Sequence, residues 1–357
     1  MDWLVASKVH KDYKGVVIVA ESLAVKYRPR EWSEVCGQAS VVKILSRQLE
    51  VNELRNVYLF SGASGCGKTT LARIFANKIN GGVGEPIEVD AASNNGVDNV
   101  KAIIKSAQER AIDGKYKIFI VDECHMITTQ GWNAFLKCIE EPPTFTIFLF
   151  CTTDPQKIPA TILNRVQRFN ITRINTDKVR ERLNYICEVE GFTNYSESTD
   201  YISKLCDGGM RDAITTLEKC ASYSTDLSIN NVLEALGNYS YDTFFFLINS
   251  LIDGKDADVL RVVDEFYRAG NDLKLCVDMF LSFCIDISKY ILFGSCEMIK
   301  IPSSMEQRIK DSTNFDKPMN YYMYIINKLL DLKNMLKNDS NIKSTIEVMM
   351  LRMARMQ

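Results

Sequence analysis

Val57-Tyr58-Leu59-Phe60-Ser61-Gly62-Ala63-Ser64-Gly65-Cys66-Gly67-Lys68-Thr69-Thr70 decides the architecture. The apolar run Val57–Phe60 reads as a buried strand, the segment Gly62–Thr69 fits G-x-x-x-x-G-K-[ST], and Thr69–Asn80 has a helical pattern. Strand, glycine-rich turn and helix in direct succession are the context in which that motif wraps a phosphate. Glycines let backbone N–H groups turn inward, the helix N-terminus adds positive potential, Lys68 reaches outer phosphates, and the Thr69 hydroxyl can ligate magnesium. Gly62, Ala63, Ser64, Gly65, Cys66, Gly67, Lys68, Thr69 and Thr70 are the expected phosphate-binding residues.

A second buried run, Lys117–Val121, ends in Asp122-Glu123-Cys124-His125. At the C-terminal end of a parallel strand such acids sit beside a phosphate loop, where Asp122 can hold magnesium through water and Glu123 can orient and polarise an attacking water. His125, next to the pair, reads as a packing or hydrogen-bonding residue. The run Thr146–Thr152 is followed by Thr153-Asp154-Pro155. Side-chain alternation predicts that only one of Thr152 and Thr153 faces the site. Arg165 and Arg211 follow, and an isolated arginine is usually a solvated charge.

Outward from these motifs, strands Ile87–Val89, Lys117–Val121 and Thr146–Thr152 alternate with helices Val97–Ala111 and Gly131–Ile139, which predicts a parallel sheet covered on both faces. After Arg173 the pattern turns wholly helical, over Thr176–Val189, Ser198–Leu205, Arg211–Cys220 and Ile229–Leu236, then in longer pieces from Tyr241 to Gln357. Pro302 and Pro318 read as breaks and Ser344 as the N-cap of the last helix. Residues 1–20 read as an extension with a lone strand near Val16–Ala20.

With 357 residues, more than one domain is expected. Lysine plus arginine (43) nearly balance aspartate plus glutamate (45), so any nucleic-acid contact needs a local basic surface or a partner. The 11 cysteines form no CxxC pair, which predicts reduced thiols rather than a disulfide framework or a zinc site. No secretion signal is evident. Leu275–Phe293, the most apolar stretch, carries Asp278, Asp286 and Lys289, and reads as a packed helix rather than a membrane span.

The motifs together resemble one family, the gamma/tau (DnaX-type) ATPase subunits of bacterial replication clamp loaders, within the AAA+ superfamily. The resemblance rests on Ala24-Val25-Lys26-Tyr27-Arg28-Pro29 with Val35-Cys36-Gly37-Gln38, on Glu88–Ser93, Asn133–Lys137, Glu140–Pro143 and Thr152–Pro159, and on Ile162-Leu163-Asn164-Arg165. Ile346–Arg352 resembles the end of the family's collar, so the likeness covers about residues 21–357. It implies an α/β fold: an AAA+ RecA-like parallel-sheet core at 21–173, an all-helical lid at 174–237, and an all-helical oligomerising collar at 238–357.

It further implies ATP and Mg2+ as ligands, with Arg28, Pro29, Val35 and Cys36 on the adenine side. Arg211 would act as the lid's sensor of the γ-phosphate, Thr153 as the strand-end sensor, and Arg165 as the finger reaching a neighbouring subunit's ATP. The implied partners are a sliding clamp, the other subunits of a pentamer and primer–template DNA, in the cytoplasm, or the host's if a phage encodes the chain.

Three departures stand out. Gly81–Pro86 replaces a cysteine-rich zinc module, so no structural zinc is expected. The finger reads Asn164-Arg165-Val166 where the family has Ser-Arg-Cys, and Ser93-Asn94-Asn95-Gly96 lacks the basic residues that meet DNA in relatives. Lys101 and Lys137 are left as DNA-phosphate candidates. Longer members append regions for polymerase and helicase contact, which this chain is expected to lack. The alternatives are a non-hydrolysing scaffold subunit of the same assembly and another AAA+ DNA-processing ATPase.

Overall fold

The computed structural model describes residues 21–237, 241–296, 298–312, 319–337 and 339–355. The extension at 1–20 and Pro318 lie outside them. The chain divides into two compact units. The first comprises residues up to Glu190 with Cys206–Glu218, the second Gly191–Leu205 with the chain from Lys219 onward. The stretch expected as a lid, 174–237, is therefore shared between them.

In the first unit, α1 (Leu23–Lys26) and α2 (Ala39–Glu50) precede β1 (Val57–Gly62), α3 (Lys68–Ile79), β2 (Ile87–Asp90), α4 (Val97–Ala107) and β3 (Lys117–Asp122). Then come α5 (Thr129–Glu140), β4 (Thr146–Thr152), α6 (Ala160–Leu163), β5 (Gln167–Ile171) and α7 (Thr176–Glu190). The five strands form one parallel sheet in the order β2-β3-β4-β1-β5, the α/β core expected from the alternation of apolar runs and helices.

Period-two alternation sorts the central strands onto two faces. Leu59, Phe119, Val121, Phe148 and Phe150 pack with Val100 and Ile103 of α4 and Trp132, Phe135 and Ile139 of α5. Tyr58, Phe60, Ile118, Ile120, Ile147 and Leu149 pack with Val41 and Leu45 of α2 and Leu71 and Phe75 of α3. Aromatic contacts fix α5 on its face: Trp132 lies 5.5 Å from Phe150, and Phe135 lies edge-on at 5.8 Å from both Phe148 and Phe150. At about 1.5–3 kcal/mol for each large side chain buried, this double-sided core holds the strand ends in register.

Two elements escape the apolar-run reading. The edge strand β5 alternates Gln167, Arg168, Phe169, Asn170 and Ile171, burying only Phe169 and Ile171. The helix α2 is visible in sequence only through the spacing of Val41, Leu45 and Leu49.

The remaining helices are α8 (Ser196–Leu205), α9 (Met210–Tyr223), α10 (Ile229–Leu236), α11 (Tyr241–Ile252), α12 (Asp256–Arg268), α13 (Leu273–Phe293), α14 (Glu306–Ser312), α15 (Met319–Met335) and α16 (Ile342–Ala354). The first unit ends at Glu218, within α9. In the second unit Phe244, Val262, Phe280, Ile325, Leu329 and Met350 share one core. The apolar stretch at Leu275–Phe293 lies in α13, and no helix among the described residues is long and apolar enough to cross a membrane. Within α13 the Asp286 carboxylate accepts the Lys300 N–H at 2.9 Å, and burial raises its pKa.

Pro302 directly precedes a short 3-10 turn, Ser303–Met305. Ser344, expected as an N-cap, lies inside α16, whose N-cap is Asn341. The Asp339 carboxylate accepts the Asn341 N–H at 2.8 Å, so the chain turns into the helix three residues earlier.

Gly62 sits where β1 meets β5: a Cβ there would lie 2.1 Å from the Ile171 carbonyl oxygen, whereas one at Gly96 meets nothing within 4 Å. Gly62→Ala is expected to cost about 2 kcal/mol or more in denaturant unfolding, with Gly96→Ala within about 0.5 kcal/mol of wild type. Equal effects would contradict this steric account.

Candidate active site

The parallel strands deliver their C-terminal ends to one edge of the sheet, and the cleft forms there. After β1 the chain turns through Gly65 (φ 72°) and Gly67 (φ 97°), left-handed values that favour glycine. α3 begins at Lys68, so its unpaired first-turn N–H groups point into the loop. The Lys68 ammonium, 6% exposed, donates to the carbonyls of Gly62 at 3.1 Å and Ala63 at 2.8 Å, which hold it across the loop.

The Thr69 hydroxyl donates to Asp122 Oδ2 at 2.8 Å, tying α3 to the end of β3, and Asp122 Oδ1 accepts the Glu123 N–H at 3.0 Å. A hydroxyl and a carboxylate side by side are the hard oxygen donors that Mg2+ prefers, so these residues fit that ion.

Glu123 occupies left-handed backbone space at φ 45°, a conformation costing a non-glycine residue about 1–3 kcal/mol. Its side chain is held in turn. Glu123 Oε2 accepts the Thr153 hydroxyl at 3.0 Å and lies 3.2 Å from His125 Nδ1. His125 Nδ1 is also 3.1 Å from the Thr152 hydroxyl, which accepts the Asp154 N–H at 3.0 Å. Both threonines therefore reach the carboxylate group, Thr153 directly and Thr152 through His125. Strict alternation stops applying because β4 ends at Thr152 and Thr153 lies beyond it.

Around this polar floor lies a cleft of about 160 Å³. Of the residues expected at the site, Arg28, Pro29, Val35, Cys36, Ser64–Thr70, Asp122, Glu123 and Arg211 line it. Gly62 and Ala63 accept from Lys68, and Thr153 bonds Glu123; Lys68 and Glu123 both line it. Ala24 and Tyr27, from the Ala24–Pro29 motif, line it as well, and Ile174, Arg182, Met210 and Ile214, which were not expected, also line it.

Three side chains, through four bonds to backbone, anchor the segment before β1. Glu218 accepts the Leu23 N–H at 3.1 Å, Arg182 donates to the Tyr27 carbonyl at 3.0 Å, and Gln38 grips Thr172 through both its N–H (3.2 Å) and its carbonyl (2.6 Å). Gln38 adopts φ 58° to do so. Burial raises the pKa of the Cys66 thiol, so this loop cysteine reads as packing rather than chemistry.

Three expected residues lie elsewhere. Arg165 is exposed off the cleft, donating to the Thr161 carbonyl at 2.6 Å and pairing with Glu140 at 2.7 Å. Lys101, 3.7 Å from Asp98, and Lys137 stand exposed on α4 and α5.

Residues 86–175 match the family of the DNA polymerase III delta subunit, and residues 227–357 match domain III of DNA polymerase III subunits gamma and tau. DNA polymerase III subunit tau of Bacillus subtilis is 36% identical over 280 residues, 72% of this chain and 50% of that protein. Subunit gamma/tau of Mycoplasma genitalium is 30% identical over 332 residues, 87% of this chain and 55% of that protein. The chain thus spans about half the length of the curated relatives it matches. Among solved structures, the RuvB Holliday junction branch migration motor of Thermotoga maritima superposes with a TM-score of 0.50 at 20% identity, over 68% of this chain and 80% of that one, a likeness of fold. By these relatives and matched domains, the chain belongs to the DnaX-type family of DNA polymerase III gamma/tau subunits.

Proposed function

We propose that the chain is an ATP-hydrolysing motor subunit of a replication clamp loader, which opens a sliding clamp and places it on primer–template DNA. The observation that carries this reading is the convergence of Lys68, Thr69, Asp122, Glu123 and Thr153 at one cleft edge, in a chain whose relatives are polymerase III gamma/tau subunits. A scaffold subunit has no need of a strained glutamate held by two partners.

In this reading the loop N–H groups and Lys68 hold the β- and γ-phosphates of ATP. Thr69 and Asp122 hold Mg2+, which when bound offsets the charge of the phosphate oxygens. Glu123 orients the attacking water and takes its proton, while Thr153 and His125 keep the carboxylate aimed. Arg28, Pro29, Val35 and Cys36 enclose the adenine side, and Arg211 reaches the γ-phosphate. Arg165 serves a neighbouring subunit's ATP, consistent with its exposed position away from its own cleft.

The core at 21–173, lid at 174–237 and collar at 238–357 are the proposed working parts, the collar joining subunits into a pentamer. Lys101 and Lys137 are proposed contacts to DNA phosphates. The proposed setting is the cytoplasm, and no structural zinc takes part. Binding energy drives the cycle, because ATP-bound and ADP-bound subunits hold clamp and DNA with different affinities.

Glu123→Gln is expected to lower the turnover of the assembled complex by about 100-fold or more while ATP still binds within about threefold of wild type. Unchanged turnover would remove the motor reading. Lys68→Ala is expected to weaken ATP binding at least about tenfold in a titration of the chain alone. Arg165→Ala should leave that affinity unaltered and lower turnover of the assembled complex by about a thousandfold. An equal loss of binding in the isolated chain would place Arg165 in its own subunit's site instead.

A further inference from the structure

The cleft has two chemically distinct ends. One is the polar floor of loop, Asp122 and Glu123. The other is enclosed by Ala24, Tyr27, Pro29, Val35 and the two isoleucines Ile174 and Ile214. Arg182, from the middle of α7, lines the cleft as well.

Its bond to the Tyr27 carbonyl places it at the second end. Burial raises the thiols of Cys36 and Cys66. Of the charges acting on them, Arg182 leads at Cys36 on the enclosed wall and Lys68 leads at Cys66 in the loop. The Arg182 guanidinium lies 5.2 Å from the centre of the Tyr185 ring and donates through Nη2 to the Tyr27 carbonyl at 3.0 Å. That is its one side-chain hydrogen bond among the described residues. A guanidinium carries five N–H donors in a rigid fork. Ring and carbonyl fix the fork's orientation, and the remaining donors are available to acceptors in the cleft.

Resting on the nucleotide reading above, we infer that Arg182 is a positioning and specificity-determining residue for the nucleoside half of the ligand. It pins the Tyr27–Pro29 wall through the Tyr27 carbonyl and offers its other N–H groups to the acceptors of base and ribose. The triphosphate is held without it, by Lys68 and the loop.

The test is calorimetric titration of the full chain with magnesium ATP and with magnesium tripolyphosphate, which lacks base and sugar. Arg182→Ala is expected to weaken ATP about tenfold while tripolyphosphate stays within about twofold, with the ligand-free melting temperature unchanged. Arg182→Lys keeps the charge without the fork and should show the same selective loss, smaller in size. If Arg182→Ala melts early, Arg182→Lys decides through the same ratio of the two affinities. Parallel weakening of both ligands, or ATP affinity unchanged in both variants, overturns the assignment. A wild-type chain that binds tripolyphosphate no more weakly than ATP also overturns it. One that binds neither ligand overturns the nucleotide reading itself, and this assignment with it.

Discussion

Parallel pairing of β3, β4 and β1 is the constraint on which the site depends. Those strands are separated by dozens of residues in sequence, yet their register aligns Ser61 with Thr152 and Val121 with Phe150, so three chain segments end at the same edge. The glycine loop leaves from one end, the Asp122-Glu123 pair from the second and the two threonines from the third. The Thr69–Asp122 bond then ties the loop helix to the end of β3, two strands away from β1. The two-sided core packs helices against both faces of these strands and so supports all three ends together.

On this edge the chemistry depends on restraint. Glu123 sits in costly backbone space and shares its Oε2 with Thr153 and His125, so its carboxylate is oriented before any ligand arrives. Such preorganisation suits a group that must aim a water rather than form a bond. The wall opposite depends on anchored backbone: Glu218, Arg182 and Gln38 each bond a main-chain group and hold the segment before β1 against the cleft. Two of those anchors come from helices α7 and α9, and α9 also carries Arg211, so the wall and the arginine share one support.

Much of this was legible in the sequence because it depends on local pattern. Continuous apolar runs marked β1, β3 and β4, and G-x-x-x-x-G-K-T with Asp122-Glu123 marked the polar floor. What escaped depends on tertiary placement. β5 alternates polar and apolar residues because only one face of an edge strand is buried, so a search for unbroken apolar runs passes over it. Ser344 resembled a cap by its residue type, yet the turn at Asp339 and Asn341 starts the helix sooner. Arg182 carries no motif at all. An arginine on a helix is usually solvated, and only the fold brings it against Tyr27 and Tyr185. Of the two threonines, Thr153 lies just past the end of β4 and bonds Glu123 directly, whereas Thr152, inside the strand, is buried and touches His125.

The central claim is that this cleft turns over ATP in the service of clamp loading. Its most direct test is the ATPase rate of the assembled complex, purified with its associated subunits, with and without the cognate sliding clamp and primed DNA. The account predicts slow turnover alone and at least about tenfold stimulation when clamp and primed DNA are both present. A rate indifferent to both, in an intact assembly that binds ATP, would contradict it.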